Sequence, residues 1–156
     1  MKKAKVVLFG IVLMSFGACI GGGTHGCIKR YQYNTSKYIL EKAVHQALLN
    51  NNIVIQDSVK DYYNDDTNYV SMKIGKKGLQ YAYTFRYYGG KEYWDTSKIS
   101  EIFIAYAYDE NMNGGSAGNG GLKWYDFRLK KALTKPFERE FISKIDSVLG
   151  MKHTEE

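Results

Sequence analysis

A chain of 156 residues with 44% hydrophobic side chains is long enough for one domain with a real core, with no need of disulfides or metal to staple it. Its net charge of +6 overstates the basicity of the folded part: Lys2, Lys3 and Lys5 open the chain, residues 1–18 hold no acid, and without them the charge is +3. Lys76-Lys77 and Lys130-Lys131 are isolated pairs read as solvated turns, not a clustered stripe, which argues against a nucleic-acid partner.

The N-terminus carries the most specific signal. Met1-Lys-Lys-Ala-Lys5 is a basic head, Val6 to Phe16 an almost unbroken apolar run, and Gly17-Ala18-Cys19 a small-residue exit. That order is the pattern of a secretory leader, and the run falls short of the roughly 20 apolar residues that a bilayer crossing needs. A cysteine after two small residues resembles the lipobox of bacterial lipoproteins, with Phe16 where Leu is more usual.

The resemblance covers the leader and Cys19 alone. It implies removal of residues 1–18, a lipid on Cys19 and, with Ile20 rather than Asp next, sorting to the outer membrane in many Gram-negative bacteria. Acidic residues that often follow the cysteine of surface-exported lipoproteins are absent from Ile20-Gly21-Gly22-Gly23, which implies a domain facing the periplasm. Two other readings stay open: cleavage after a small residue such as Gly17, releasing a soluble protein, or an uncleaved anchor. Residues 19–34 are small, polar or mixed and are expected to form a flexible tether. With Cys19 lipidated, Cys27 is the one thiol left. Lys29 and Arg30 stand close enough to lower its pKa, but no histidine or acid is spaced to make it a nucleophile, and a passive tether thiol is expected.

The folded domain is expected over 35–150. Ile39, Leu40, Ala43, Val44, Ala47 and Leu48 share one helical face after an N-cap at Thr35 or Ser36, and Asn50-Asn51-Asn52 is a stop. Ile53 to Ile55 begins an extended stretch; Asp57 to Asn68 is polar and turn-rich. Val70, Met72 and Ile74 alternate in a strand that turns at Gly75-Lys-Lys-Gly78. Leu79, Tyr81, Tyr83, Phe85 and Tyr87 alternate in the next, the clearest strand signal in the chain. Ile102, Ile104, Tyr106 and Tyr108 alternate likewise, and Leu122 to Leu129 reads as a fifth strand. A last helix is expected from an N-cap at Thr134, with Pro136 in its first turn, Phe137, Phe141, Ile142, Ile145, Val148 and Leu149 inward, and Gly150 at C′. Residues 151–156 are expected to fray.

This order predicts an α+β two-layer sandwich: a four- to five-stranded, mostly antiparallel sheet with an N-terminal and a C-terminal helix on one face. On that register Tyr69, Ala82, Tyr88, Phe103, Ala105 and Ala107 fall on the other face. Tyr69, Tyr88 and Phe103 are the candidate binding surface there, with ordinary burial as the competing reading.

Candidate chemistry is sparse. Asp109, Asn111 and Asn113 before Gly114 match the opening of a calcium loop, but Gly120 stands where the closing Glu belongs and a strand precedes the motif, so a glycine-rich hairpin loop is expected. Gly114-Gly-Ser116-Ala-Gly118 fits G-x-S-x-G formally; Asp126 or Asp146 and His153 would follow in triad order, yet a nucleophile elbow needs a strand before it and a helix after it on a parallel sheet. His25, His45 and His153 show no metal spacing. No cofactor motif is present. The 14 tyrosines fit sheet packing as well as binding. The reading is an envelope lipoprotein with a non-catalytic binding or adaptor domain; the alternatives are an immunity-type inhibitor of an envelope-acting toxin and a small hydrolase working through Ser116.

Overall fold

The structure, a computed structural model, describes residues 26–50, 52, 54–61, 68–76, 79–117, 121–123 and 125–155. The expected leader over 1–18, Cys19, His25, Gly118 and Trp124 lie outside the described residues. The elements run β1 (Arg30–Tyr33), α1 (Lys37–Leu49), β2 (Val54–Asp61), β3 (Asn68–Lys76), β4 (Leu79–Tyr87), α2 (Lys91–Thr96), β5 (Ser100–Tyr108), β6 (Gly114–Gly115), α3 (Phe127–Phe137), a π-helical turn (Glu138–Ile142), α4 (Ser143–Leu149) and β7 (Thr154–Glu155). The fold is α+β. One sheet has the order β2-β3-β4-β5-β1-β7, with β6 paired to β5, and every one of these strand pairs is antiparallel.

Period-two alternation builds the core face of the sheet. Tyr31 and Tyr33 from β1, Val70, Met72 and Ile74 from β3, Tyr83, Phe85 and Tyr87 from β4, and Ile102 and Ile104 from β5 are all buried in one cluster. Leu40, Ala43, Val44 and Ala47 of α1 and Leu133, Phe137, Phe141, Ile142 and Ile145 of the C-terminal helical run complete it, so the helices cover the same face. Aromatic rings make the seam: Phe85 lies 6.1 Å from Phe137 and 5.2 Å from Phe141, and Tyr83 lies 5.1 Å from Phe137. The Tyr83 hydroxyl is satisfied by donating to the Leu133 carbonyl at 2.7 Å.

Five details differ from expectation, each for a local reason. The segment 30–33, placed in the tether, is an interior strand between β5 and β7; Arg-Tyr-Gln-Tyr is a single short alternation, and its value shows only when Tyr31 and Tyr33 meet the helices. In the segment 151–156, expected to fray, Thr154 and Glu155 return to the sheet, Thr154 opposite Gln32 and Glu155 opposite Tyr31. The described residues of 122–129 form no strand: the Asp126 carboxylate accepts the Lys123 amide at 3.0 Å in a turn, and α3 starts at Phe127. The last helix therefore begins seven residues before Thr134, and Pro136 sits near the end of α3. Having no N–H to give, Pro136 is followed by a π-helical turn rather than by continuous α-helix.

The fifth difference concerns β5. Thr84 opposes Tyr106 and Phe85 opposes Ile104, so Ala105 is an extra residue at a bulge. Beyond it the faces exchange. Ala107, opposite Tyr83, turns into the core, while Tyr106 and Tyr108, opposite Thr84 and Ala82, point to the other face. Ala105 and Ala107 are thus buried, and the two tyrosines replace them on the helix-free side.

Candidate functional site

The sheet face away from the helices holds an alternating row of rings and guanidinium groups. Arg86 stands opposite Phe103 in the β4–β5 ladder, and Phe103 stands opposite Arg30 in the β5–β1 ladder. Tyr69 from β3 extends the row: the Arg86 guanidinium donates to its hydroxyl at 3.1 Å and lies 5.1 Å from its ring centroid and 5.6 Å from that of Phe103. Arg30 in turn lies 4.9 Å from the ring of Tyr88 and 3.6 Å from the Glu101 carboxylate. Gln32 donates to the other Glu101 oxygen at 3.4 Å. Cation–π contacts thus join Arg86 to Tyr69 and Phe103, and Arg30 to Tyr88, while Phe103 and Arg30 are neighbours in the ladder; such contacts strengthen where water is excluded.

The side chains of this row and its neighbours differ in access. Tyr69, Arg86 and Glu101 are buried, at 5%, 7% and 6% exposure, and form its floor; Phe103 and Tyr88 are half-buried and reachable. So the structure brings Tyr69 and Phe103 together around Arg86 and sets Tyr88 beside Arg30, but Tyr69 is a support and not a contact surface. Tyr106, Tyr108, Thr84 and Ala82 continue the face as half-buried side chains. At its far end a cavity of about 320 Å³ opens, lined by Lys73, Gln80, Ala82, Asp109, Glu110 and Met112.

The Asp109 loop closes on itself. One carboxylate oxygen of Asp109 accepts the amides of Asn111 at 2.9 Å and Asn113 at 2.8 Å, and the other accepts the Asn113 side-chain amide at 2.9 Å. Those bonds, the Asn113 side chain first, hold the Asp109 pKa below the usual carboxylate range. Both Asp109 oxygens, the first of those proposed from sequence for calcium, are thus used to shape the turn, with Met112 at φ +62°. Among the described residues no group of three or more His, Cys, Asp or Glu side chains could hold a metal ion.

Ser116 follows β6, whose Gly114 and Gly115 pair with β5 in close contact: a Cβ on Gly114 would meet the Ala107 carbonyl oxygen at 2.0 Å. Its carbonyl accepts the Leu122 amide at 2.7 Å, and Ala117 bridges to Gly26 and Leu122. An antiparallel edge of this kind does not present a serine as a strand-to-helix elbow does. Asp146 and His153 do meet, at 3.0 Å, but the remaining His153 nitrogen faces Glu155 at 3.5 Å. His45 is exposed on α1, and Cys27 is a half-buried thiol just before buried Ile28.

Sequence reasoning missed the polar seam that ties the two ends of the chain together. Tyr31 donates to Glu138 at 3.1 Å, and Lys29 reaches Glu138 at 2.5 Å and Glu155 at 2.8 Å. Tyr33 donates to Asp146 at 2.9 Å, on the carboxylate that also accepts the His153 amide at 3.3 Å. Burial lowers the affinity of Lys29 for its proton, but its bonds to the two glutamates outweigh that and raise its pKa. Glu155 is held below the ordinary range, by Lys29 first and His153 after it. These partners lie over a hundred residues apart, and a single short alternation at Tyr31 and Tyr33 was the one sequence signal for them. Comparison with protein-family models, with curated proteins and with solved structures finds no match to this chain.

Proposed function

We propose that this chain is a cell-envelope lipoprotein, held in the outer membrane by lipid on Cys19, whose periplasm-facing domain binds a protein partner through the helix-free face of its sheet. The observation that supports it is the Tyr69–Arg86–Phe103–Arg30 row. Aromatic and arginine side chains dominate the energetics of protein interfaces, and here they are pinned by one another before a partner arrives, which lowers the ordering cost of binding. In this reading the domain acts as an adaptor, without catalysis, cofactor or nucleic acid. An immunity-type inhibitor would use the same face, and the identity of the partner separates the two: an envelope component marks the adaptor, a secreted toxin the inhibitor.

Two measurements test the proposal. Labelled palmitate should enter the wild-type chain and fail to enter Cys19→Ser, with the label in the outer-membrane fraction; equal labelling of both, or none in either, overturns the anchor. Crosslinking in intact cells followed by capture of the tagged chain should recover one stoichiometric partner, and Phe103→Ala should reduce that recovery by about tenfold, as an interface hot spot does. Undiminished recovery from Phe103→Ala contradicts the assigned face. Turnover abolished by Ser116→Ala contradicts the non-catalytic reading.

A further inference from the structure

The helix side of the molecule carries a cleft with a basic lining, chemically different from the sheet face. Helix α3 contains Arg128, Lys130, Lys131 and Lys135 and no acid. Leu133 and Phe137 anchor it in the core, and Lys130, Lys131 and Lys135 are exposed on its outer side. Lys29, in the segment leading into β1, closes the far wall, and a cleft of about 630 Å³ lies between them. One carboxylate, Glu138, lines it, and that group is already engaged by Lys29 at 2.5 Å and by the Tyr31 hydroxyl at 3.1 Å. Lys29 is paired with Glu138 and, beyond the lining, with Glu155 at 2.8 Å, so the charge in the cleft is carried by the three ammonium groups of Lys130, Lys131 and Lys135. Cations one helical turn apart repel, and an anion placed among them removes that repulsion. Thr134 contributes to the lining, and Phe127, 66% exposed, forms an apolar wall at the mouth.

We infer that this cleft binds a phosphate-bearing anion. A compact polyvalent oxyanion matches several lysine point charges converging on one hollow. Two sources carry that chemistry, a phospholipid headgroup and a soluble phosphate, and Phe127 tells them apart: the exposed ring enters the acyl boundary only if the anion belongs to a membrane. The site is separate from the sheet face and needs neither the partner nor the lipid on Cys19.

Lysine footprinting by acylation, read by mass spectrometry on the full chain, tests it. One arm adds inorganic pyrophosphate to the chain in phosphatidylcholine nanodiscs; the other replaces part of the phosphatidylcholine with phosphatidylglycerol. Lys130, Lys131 and Lys135 should become less reactive by about threefold or more at saturation, with Lys91, Lys98 and Lys144 unchanged. Protection by pyrophosphate assigns a soluble phosphate. Protection by phosphatidylglycerol alone, lost in Phe127→Ala, assigns a headgroup. Protection spread equally over the control lysines, or absent from both arms, overturns the site whatever becomes of the lipoprotein reading.

Discussion

Asp146 shows how a single carboxylate ties the chain ends together. It accepts from the buried Tyr33 hydroxyl at 2.9 Å and from both the backbone and the ring of His153. Removing the acceptor leaves a buried phenol without its partner, which costs more than losing both groups together. Asp146→Ala should therefore lower unfolding free energy by about 1–3 kcal/mol in urea, and Tyr33→Phe on that background should recover part of the loss. Full additivity of the two substitutions would show that the bond contributes nothing. A second residue-scale case is Met112, exposed and held at φ +62°. Met112→Gly should be neutral or stabilising by up to about 0.5–1 kcal/mol, since glycine takes that conformation without steric penalty, whereas most surface substitutions to glycine destabilise. The Asp109 turn was legible as a turn, because Asp-x-Asn-x-Asn before glycine forms local bonds. The Asp146–His153 pair was legible only as two residues in the right order for a triad, since sequence does not say what the other imidazole nitrogen faces.

At the scale of elements, the C-terminal helical run explains both a success and an error of the sequence reading. Leu129, Leu133, Phe137, Phe141, Ile145 and Leu149 recur every four residues, and the inner four of them are fully buried. A strict four-residue repeat drifts by about 40° per step on an α-helix of 3.6 residues per turn. The wider π-helical turn Glu138–Ile142 takes up that drift, which keeps Phe137, Phe141 and Ile145 on one face. Reading Pro136 as a helix start truncated the element, because proline's preference for a first turn hid a repeat already running through it. The returning strand β7 was missed for a different reason: Thr154 and Glu155 have no apolar pattern, and their partners are Gln32, Lys29 and Tyr31. Truncation after Gly150 should cost about 1–3 kcal/mol by urea unfolding, from the lost strand pairing and the lost partners of Lys29 and Asp146. A truncated chain as stable as the parent would restore the frayed tail.

Across the whole molecule, the helix-covered face stores protonated phenols and the other face displays rings and cations. Tyr31, Tyr33, Tyr83 and Tyr87 are buried, and burial raises the pKa of each well above the ordinary phenol range, with Glu138, Asp146, Tyr81 and Glu41 respectively adding to it. The folded chain keeps these protons while the unfolded chain releases them above about pH 10, so stability is unaffected below that pH and falls as pH rises past it, by up to about 1.4 kcal/mol per unit for each phenol. Ultraviolet titration should show these four ionising only as the chain unfolds; smooth titration with the exposed tyrosines would contradict their burial. The α+β class, the sandwich layering and the β3–β4 hairpin partners were legible because long alternations fix a register. The identity of the outer face was not, because one extra residue at Ala105 exchanges Tyr106 and Tyr108 for Ala105 and Ala107, and a bulge leaves no mark on composition. That outer face is the centre of the functional account. Its most direct test is a photo-crosslinking amino acid placed in living cells at Tyr106, on the helix-free face, and separately at Tyr38, 63% exposed on α1. The account predicts one discrete protein adduct from position 106 and none from position 38; adducts from position 38 alone, or from neither position, would contradict a partner bound through the sheet.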